Sequence, residues 1–108
     1  MIFVFGDNLI GRGMKGQACI RTQSNAFGIP TKRLPSMNDD AFFSDRQDEI
    51  DAVLDALRAL YKLKVSNKVC WPASGIGTGL AQMKFKSPVL FNQMNRIIEL
   101  HFNNPYNR

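Results

Sequence analysis

Seven of the chain's eight glycines fall into two clusters: Gly6, Gly11, Gly13 and Gly16, then Gly75, Gly77 and Gly79. Each cluster follows a short apolar run and precedes a stretch of helical character, and this repeated order constrains the fold more than any other feature. Residues 2–5 (IFVF) are a continuous apolar run that suits a buried strand ended by Gly6. Residues 68–71 (KVCW) suit a second strand, stopped by Pro72. Strands alternating with helical patterns imply a parallel α/β sheet. The expected architecture is a small three-layer-like sheet flanked by helices. A length of 108 residues suits one domain over 1–108, and 44% hydrophobic residues suffice for one core.

Between and after these runs the chain is punctuated clearly. Residues 6–16 read as a glycine-rich loop, 17–24 as a short helix, and 25–30 as a turn entering a short strand broken by Pro30. Residues 31–43 read as a long irregular surface loop, a class of segment that tends to be functional or mobile. The clearest helix is expected from Ser44, with Ser44-Asp45-Arg46-Gln47 as a capping box. Ile50, Val53, Leu54, Leu57, Leu60 and Tyr61 then form one apolar stripe. Acids crowd its start and Arg58, Lys62 and Lys64 its end, which complements the helix dipole and needs no active site to explain it. A second glycine loop spans 73–80. Ser87-Pro88 then opens another helix, with Ser as N-cap and Pro at N1, carrying Leu90, Phe91, Met94, Ile97, Ile98 and His101. His101 suits capping or packing, and Asn103-Asn104-Pro105 ends the helix.

Charge and cysteine content bound the function. Seven of nine acids lie between Asp39 and Asp55, so the remainder of a chain of net charge +5 is strongly basic and favours anionic partners. Cys19 and Cys70 have no partner spacing and read as reduced, mostly buried thiols of a cytoplasmic protein. With one histidine, a metal site is not expected, and no cofactor is implied. No apolar run reaches membrane-spanning length, and the first residues do not read as a signal peptide.

The glycine loops carry the chemistry. At the carboxyl ends of parallel strands they occupy the place where α/β sheets bind ligands. Glycine-rich backbone followed by a helix N-terminus turns several N–H groups toward one anion. Two such loops facing each other would make a cleft for a diphosphate. Arg12 and Lys15 would add charge, and Ser74 and Thr78 hydroxyl donors. Neither GRGMKG nor SGIGTG is a Walker motif, and no strand-ending acid completes a dinucleotide fingerprint after Gly11-x-Gly13-x-x-Gly16.

Val69-Cys70-Trp71-Pro72-Ala73-Ser74-Gly75-Ile76-Gly77-Thr78-Gly79-Leu80 resembles the second phosphate loop of macrodomains. Asn8-Leu9-Ile10-Gly11-Arg12-Gly13-Met14-Lys15-Gly16-Gln17-Ala18 resembles their first. The two motifs match in order and cover about a quarter of the chain. The resemblance implies a truncated macrodomain-like fold, of the compact kind found in phage or other mobile elements, that binds ADP-ribose or a derivative. It implies that Gly11, Gly13, Gly16, Ser74, Gly75, Ile76, Gly77, Thr78 and Gly79 wrap the diphosphate and distal ribose, with Asn8 against that ribose. Gly6-Asp7 stands where an adenine-meeting pair would have to be imitated. Phe42, Phe43, Phe102 and Tyr106 are candidates to stack on the base.

Three functions follow as expectations. The first is capture of an ADP-ribose-like nucleotide or signalling derivative by Asp7, Asn8, Gly11, Arg12, Gly13, Lys15, Gly16, Gln17 and residues 74–79. The second is an ADP-ribosyl hydrolase in which Asn8 orients water or ribose and Asp7 is the base. The third, ranked below these, is nucleic-acid binding by the basic surface. A symmetric homo-oligomer that completes the pocket is compatible with a chain this small. Gly77→Asp is predicted to abolish nucleotide affinity in a protein that stays folded.

Overall fold

In the computed structural model, which describes residues 1–104, the first strand, β1 (Ile2–Asn8), is longer than its apolar run suggests. Gly6 lies inside it. A Cβ at Gly6 would meet the Gln17 side-chain oxygen and Thr31 Oγ1, both at 3.3 Å, so this glycine marks a close approach and not a strand end. β2 (Ala26–Lys32) runs parallel to β1, from Phe3 opposite Ala26 to Asn8 opposite Lys32, with an irregularity between Asp7 and Asn8. It continues past Pro30, contrary to expectation, because β2 is an edge strand of the order β2-β1-β3, and an edge tolerates a residue without an N–H. β3 is only Val69–Cys70, parallel to the other side of β1.

Alternation along β1 and β2 sorts the sheet into two faces. Val4 and Ile29 join the main core with Val53, Leu57 and Leu60 of α1 (Gln47–Lys64), and with Leu90, Met94 and Ile98 of α3 (Pro88–Phe102). A single turn, α2 (Met83–Lys86), buries Met83 in the same core. On the opposite face Phe5 is covered by the Arg21 guanidinium, 5.4 Å from its ring centre, next to a short 3-10 turn, Gly16–Ile20, that replaces the expected helix over 17–24. Helices therefore cover one face, and the third layer is only that turn and its arginine. Cys19 is exposed and Cys70 half-buried, so the thiols are less buried than expected. Among the described residues no helix is long and apolar enough to cross a membrane.

The expected loop 31–43 is partly ordered. Thr31 and Lys32 finish β2, a 3-10 turn forms at Asp39–Ala41, and Phe42 bridges back to Lys32. Phe42, Phe43 and Phe102 are all buried, Phe43 and Phe102 in the main core, which removes them as base-stacking platforms; Tyr106 lies outside the described residues. Tyr61 is exposed at the edge of its stripe and meets His101 and Phe102 edge-on, each at 5.9 Å.

Both helix starts differ from the sequence reading in who caps whom. α1 begins at Gln47, two residues later than a Ser44 cap would place it, and the residue reaching back is Glu49, whose Oε1 accepts from the Arg46 and Ser44 N–H groups. Ser87 does precede Pro88, but its side chain does not cap α3. Asp45, held at φ +60°, reaches across from the other segment and accepts from Leu90 N–H (2.8 Å), Val89 N–H and the Ser87 hydroxyl. Burial works to raise the Asp45 pKa, but these three hydrogen bonds outweigh it and hold the carboxyl below the usual aspartate range. A depressed folded pKa stabilises above the ordinary value of 3.8 and is lost as pH falls through the lower folded value. Asp45→Asn is thus expected to cost about 1 kcal/mol at pH 7 and to flatten the acid limb, because the amide replaces only part of the cap. Urea midpoints at pH 7 and pH 3 check this: a drop between the two pH values as large as the wild type's would remove Asp45 from the acid response.

Candidate functional site

After β1 the chain returns along the Phe5 face, where Arg21 sits; after β3 it passes to α2 and α3 on the Val4 face. Adjacent parallel strands whose following segments leave toward opposite faces create a crevice at their carboxyl ends. A cleft of about 590 Å³ lies there, bordered by both glycine loops. That volume is within the range of small-molecule sites.

Gln17 joins the two loops. Its side-chain oxygen accepts from Gly6 N–H at 2.9 Å in β1, while its amide donates to the Gly75 carbonyl at 2.6 Å and to Ser74 Oγ at 3.3 Å in the second loop. A Cβ on Gly16 would touch Leu80 Cδ1 at 3.6 Å, so the loops also meet by packing.

Asn8, buried at the end of β1, braces the first loop. It donates to the Arg12 carbonyl at 2.7 Å and accepts from Arg12 N–H at 3.4 Å. Asp7 is tied to Arg21 through both carboxylate oxygens, at 2.9 and 2.5 Å, and Oδ1 also accepts from Asn8 N–H. The Asp7 carboxylate raises the pKa of Arg21, against burial, which lowers it. Both residues that would serve a hydrolase are therefore occupied in holding the backbone, and the only acid of the first loop is neutralised by its own cation.

Arg12, Gly13, Lys15, Gly16, Ser74, Gly77, Thr78 and Gly79 border the cleft, as do Asp7, Asn8 and Gln17. Three expected residues do not. The Ile76 side chain is fully buried in the core, where it anchors the second loop. Gly75 is buried and gives its carbonyl to Gln17. Gly11 closes a turn onto the Asn8 carbonyl. Thr78 borders the cleft but is not the expected donor, because its hydroxyl is spent on the Ser74 carbonyl at 2.8 Å. The N–H groups of Met14, Lys15, Thr78 and Gly79 have no acceptor among the described residues, which leaves backbone donors on both sides of the cleft.

Residues 1–97 match a family described as a family of unknown function, DUF7831. The chain belongs to DUF7831. The matched span takes in both glycine loops, the whole sheet and α1. No curated protein and no solved structure matches the chain.

In this DUF7831 member the cleft has a third wall that glycine spacing does not reveal. Lys32, Pro35, Ser36 and Met37 line it from the end of β2, with Met14 and Leu80 at the rim. Lys32 is buried and donates to the Ser36 carbonyl and, at 3.5 Å, to the Met37 sulfur; its ammonium lies 4.9 Å from the centre of the Phe42 ring. Burial pushes its pKa below the usual lysine range. The only sequence signal for this wall is the length of the segment after Pro30.

Proposed function

We propose that the chain captures an ADP-ribose-like nucleotide, or a signalling derivative of one, with the diphosphate clasped between the two glycine loops. One observation carries this reading: both loops border one cleft at the carboxyl ends of neighbouring parallel strands, joined by Gln17. Among the described residues the N–H groups of Met14, Lys15, Thr78 and Gly79 have no acceptor and offer neutral donors, and Arg12 and Lys15 offer positive charge without a competing acid, since Asp7 belongs to Arg21. The resemblance of both loops to macrodomain phosphate loops supports the ligand class.

Capture is favoured over hydrolysis by the same geometry. A general base needs a free oxygen within reach of water. Both Asp7 oxygens are engaged by Arg21, and both ends of the Asn8 amide by Arg12. A thermal-denaturation titration with ADP-ribose tests the reading. A ligand at ~1,000-fold over Kd adds about 4 kcal/mol to folding stability, and an unmoved melting temperature over a millimolar range would retire it.

A further inference from the structure

Among the described residues, Lys32 is the one cation of the cleft that is buried, and its surroundings are unusual for a buried charge. Among the described residues no carboxylate lies within ion-pair distance of its ammonium. Its contacts are a carbonyl, a thioether and an aromatic face, all neutral. A buried cation is ordinarily matched by an anion, because neutral dipoles recover only part of its lost hydration. Lys32 borders the cleft together with Pro35, Ser36 and Met37. Ser36 lines the cleft as well, and its hydroxyl oxygen accepts from Asn38 N–H, which leaves the hydroxyl proton available to a second acceptor. An ammonium and a hydroxyl donor together suit the oxygens of a phosphomonoester.

We propose that Lys32, with Ser36, receives a phosphomonoester of the ligand distinct from the clasped diphosphate, so that the cleft prefers an ADP-ribose-like nucleotide carrying an extra phosphate on one of its riboses. This rests on the nucleotide reading above and adds a specificity residue to it. The third wall of the cleft is then a reader of ligand charge, and the two glycine loops are the part indifferent to it.

Calorimetric titration of the full chain with three probes tests the proposal: ADP-ribose, ADP-ribose phosphorylated on the adenine-side ribose, and ADP-ribose phosphorylated on the distal ribose. One phosphorylated probe is expected to bind the wild type roughly tenfold or more tighter than ADP-ribose, and which one does so reports the ligand's orientation. In Lys32→Met that preference is expected to vanish while ADP-ribose affinity persists, and in Lys32→Arg most of it is expected to remain. Equal binding of all three probes to the wild type overturns the inference and leaves the nucleotide reading intact; this comparison needs no variant to fold. A preference that survives in Lys32→Met overturns it also. Failure of every probe to bind overturns both readings.

Discussion

Gly79→Asp is expected to leave the protein folded and to abolish nucleotide binding, whereas Gly77→Asp is expected to unfold it. The two glycines are two residues apart in one loop, and both border the cleft. Their missing side chains, however, face different surroundings. A Cβ at Gly79 would have no neighbour within 4 Å, and Gly79 is not among the positive-φ residues. Its substitution should change stability by less than about 0.5 kcal/mol. The added carboxylate would stand at the mouth of an anion site, where like charges a few ångströms apart cost roughly 1–4 kcal/mol, or about fivefold to nearly a thousandfold in affinity.

At Gly77 the backbone borders the cleft but the Cβ position points into the core, against the Met83 sulfur and, at 3.3 Å, Met94 Cε. Its φ of +76° adds strain for any other residue. Strain of about 1–2 kcal/mol and overpacking of about 1–3 kcal/mol already apply to alanine, and aspartate adds a buried, unpaired charge. The sum rivals the whole stability of a small domain. The expectation from glycine spacing, a folded protein that has lost only its ligand, therefore belongs to Gly79 and not to Gly77. Far-UV circular dichroism and an ADP-ribose titration on both variants decide it. A well-folded Gly77→Asp protein, or a Gly79→Asp protein that binds like the wild type, would contradict this orientation of the loop.

Why spacing misassigns Gly77 also explains how much of the site is legible in the sequence. Glycine clusters after apolar runs are local signals, and they place both loops at one end of the sheet. Direction is not local. Whether a loop residue faces ligand or core depends on what the chain brings beneath it, here Met83 and Met94 from α2 and α3. The same reason hides the third wall. Lys32 sits where a proline-interrupted strand resumes, and its burial depends on Phe42 returning to bridge it. The cap of α3 is invisible for a similar cause, because Asp45 lies 45 positions before the Leu90 N–H it accepts from. What periodicity fixes well is the core: Val53, Leu57 and Leu60, then Leu90, Met94 and Ile98, are buried along the stripes their spacing implies.

Glu49→Ala is expected to be the most damaging single change outside the loops, and its consequence should reach the cleft. Glu49 is fully buried at the first turn of α1, yet every acceptor it offers is used. Oε1 accepts from Ser44 and Arg46 N–H at 2.7 and 3.0 Å, and Oε2 pairs with Arg33 at 2.6 Å. Arg33 also grips Asp48, and these two carboxylates raise its pKa beyond the usual arginine range. Removing one partner of a buried pair costs about 3–5 kcal/mol, and the retained Asp48 contact places this case near the lower figure. Glu49→Gln keeps an acceptor for the two N–H groups and should cost less. Arg33 follows Lys32 directly, and its own N–H bonds to the Ala41 carbonyl at 2.8 Å, so both ends of the segment bearing Pro35, Ser36 and Met37 hang on this arginine. Loosening it should raise amide exchange across residues 34–44 and weaken ligand binding even where the glycine loops are untouched. Urea denaturation with hydrogen exchange separates the outcomes: a stability loss without faster exchange in that segment would mean that Glu49 serves the helix alone, and that the third wall of the cleft is held by Lys32.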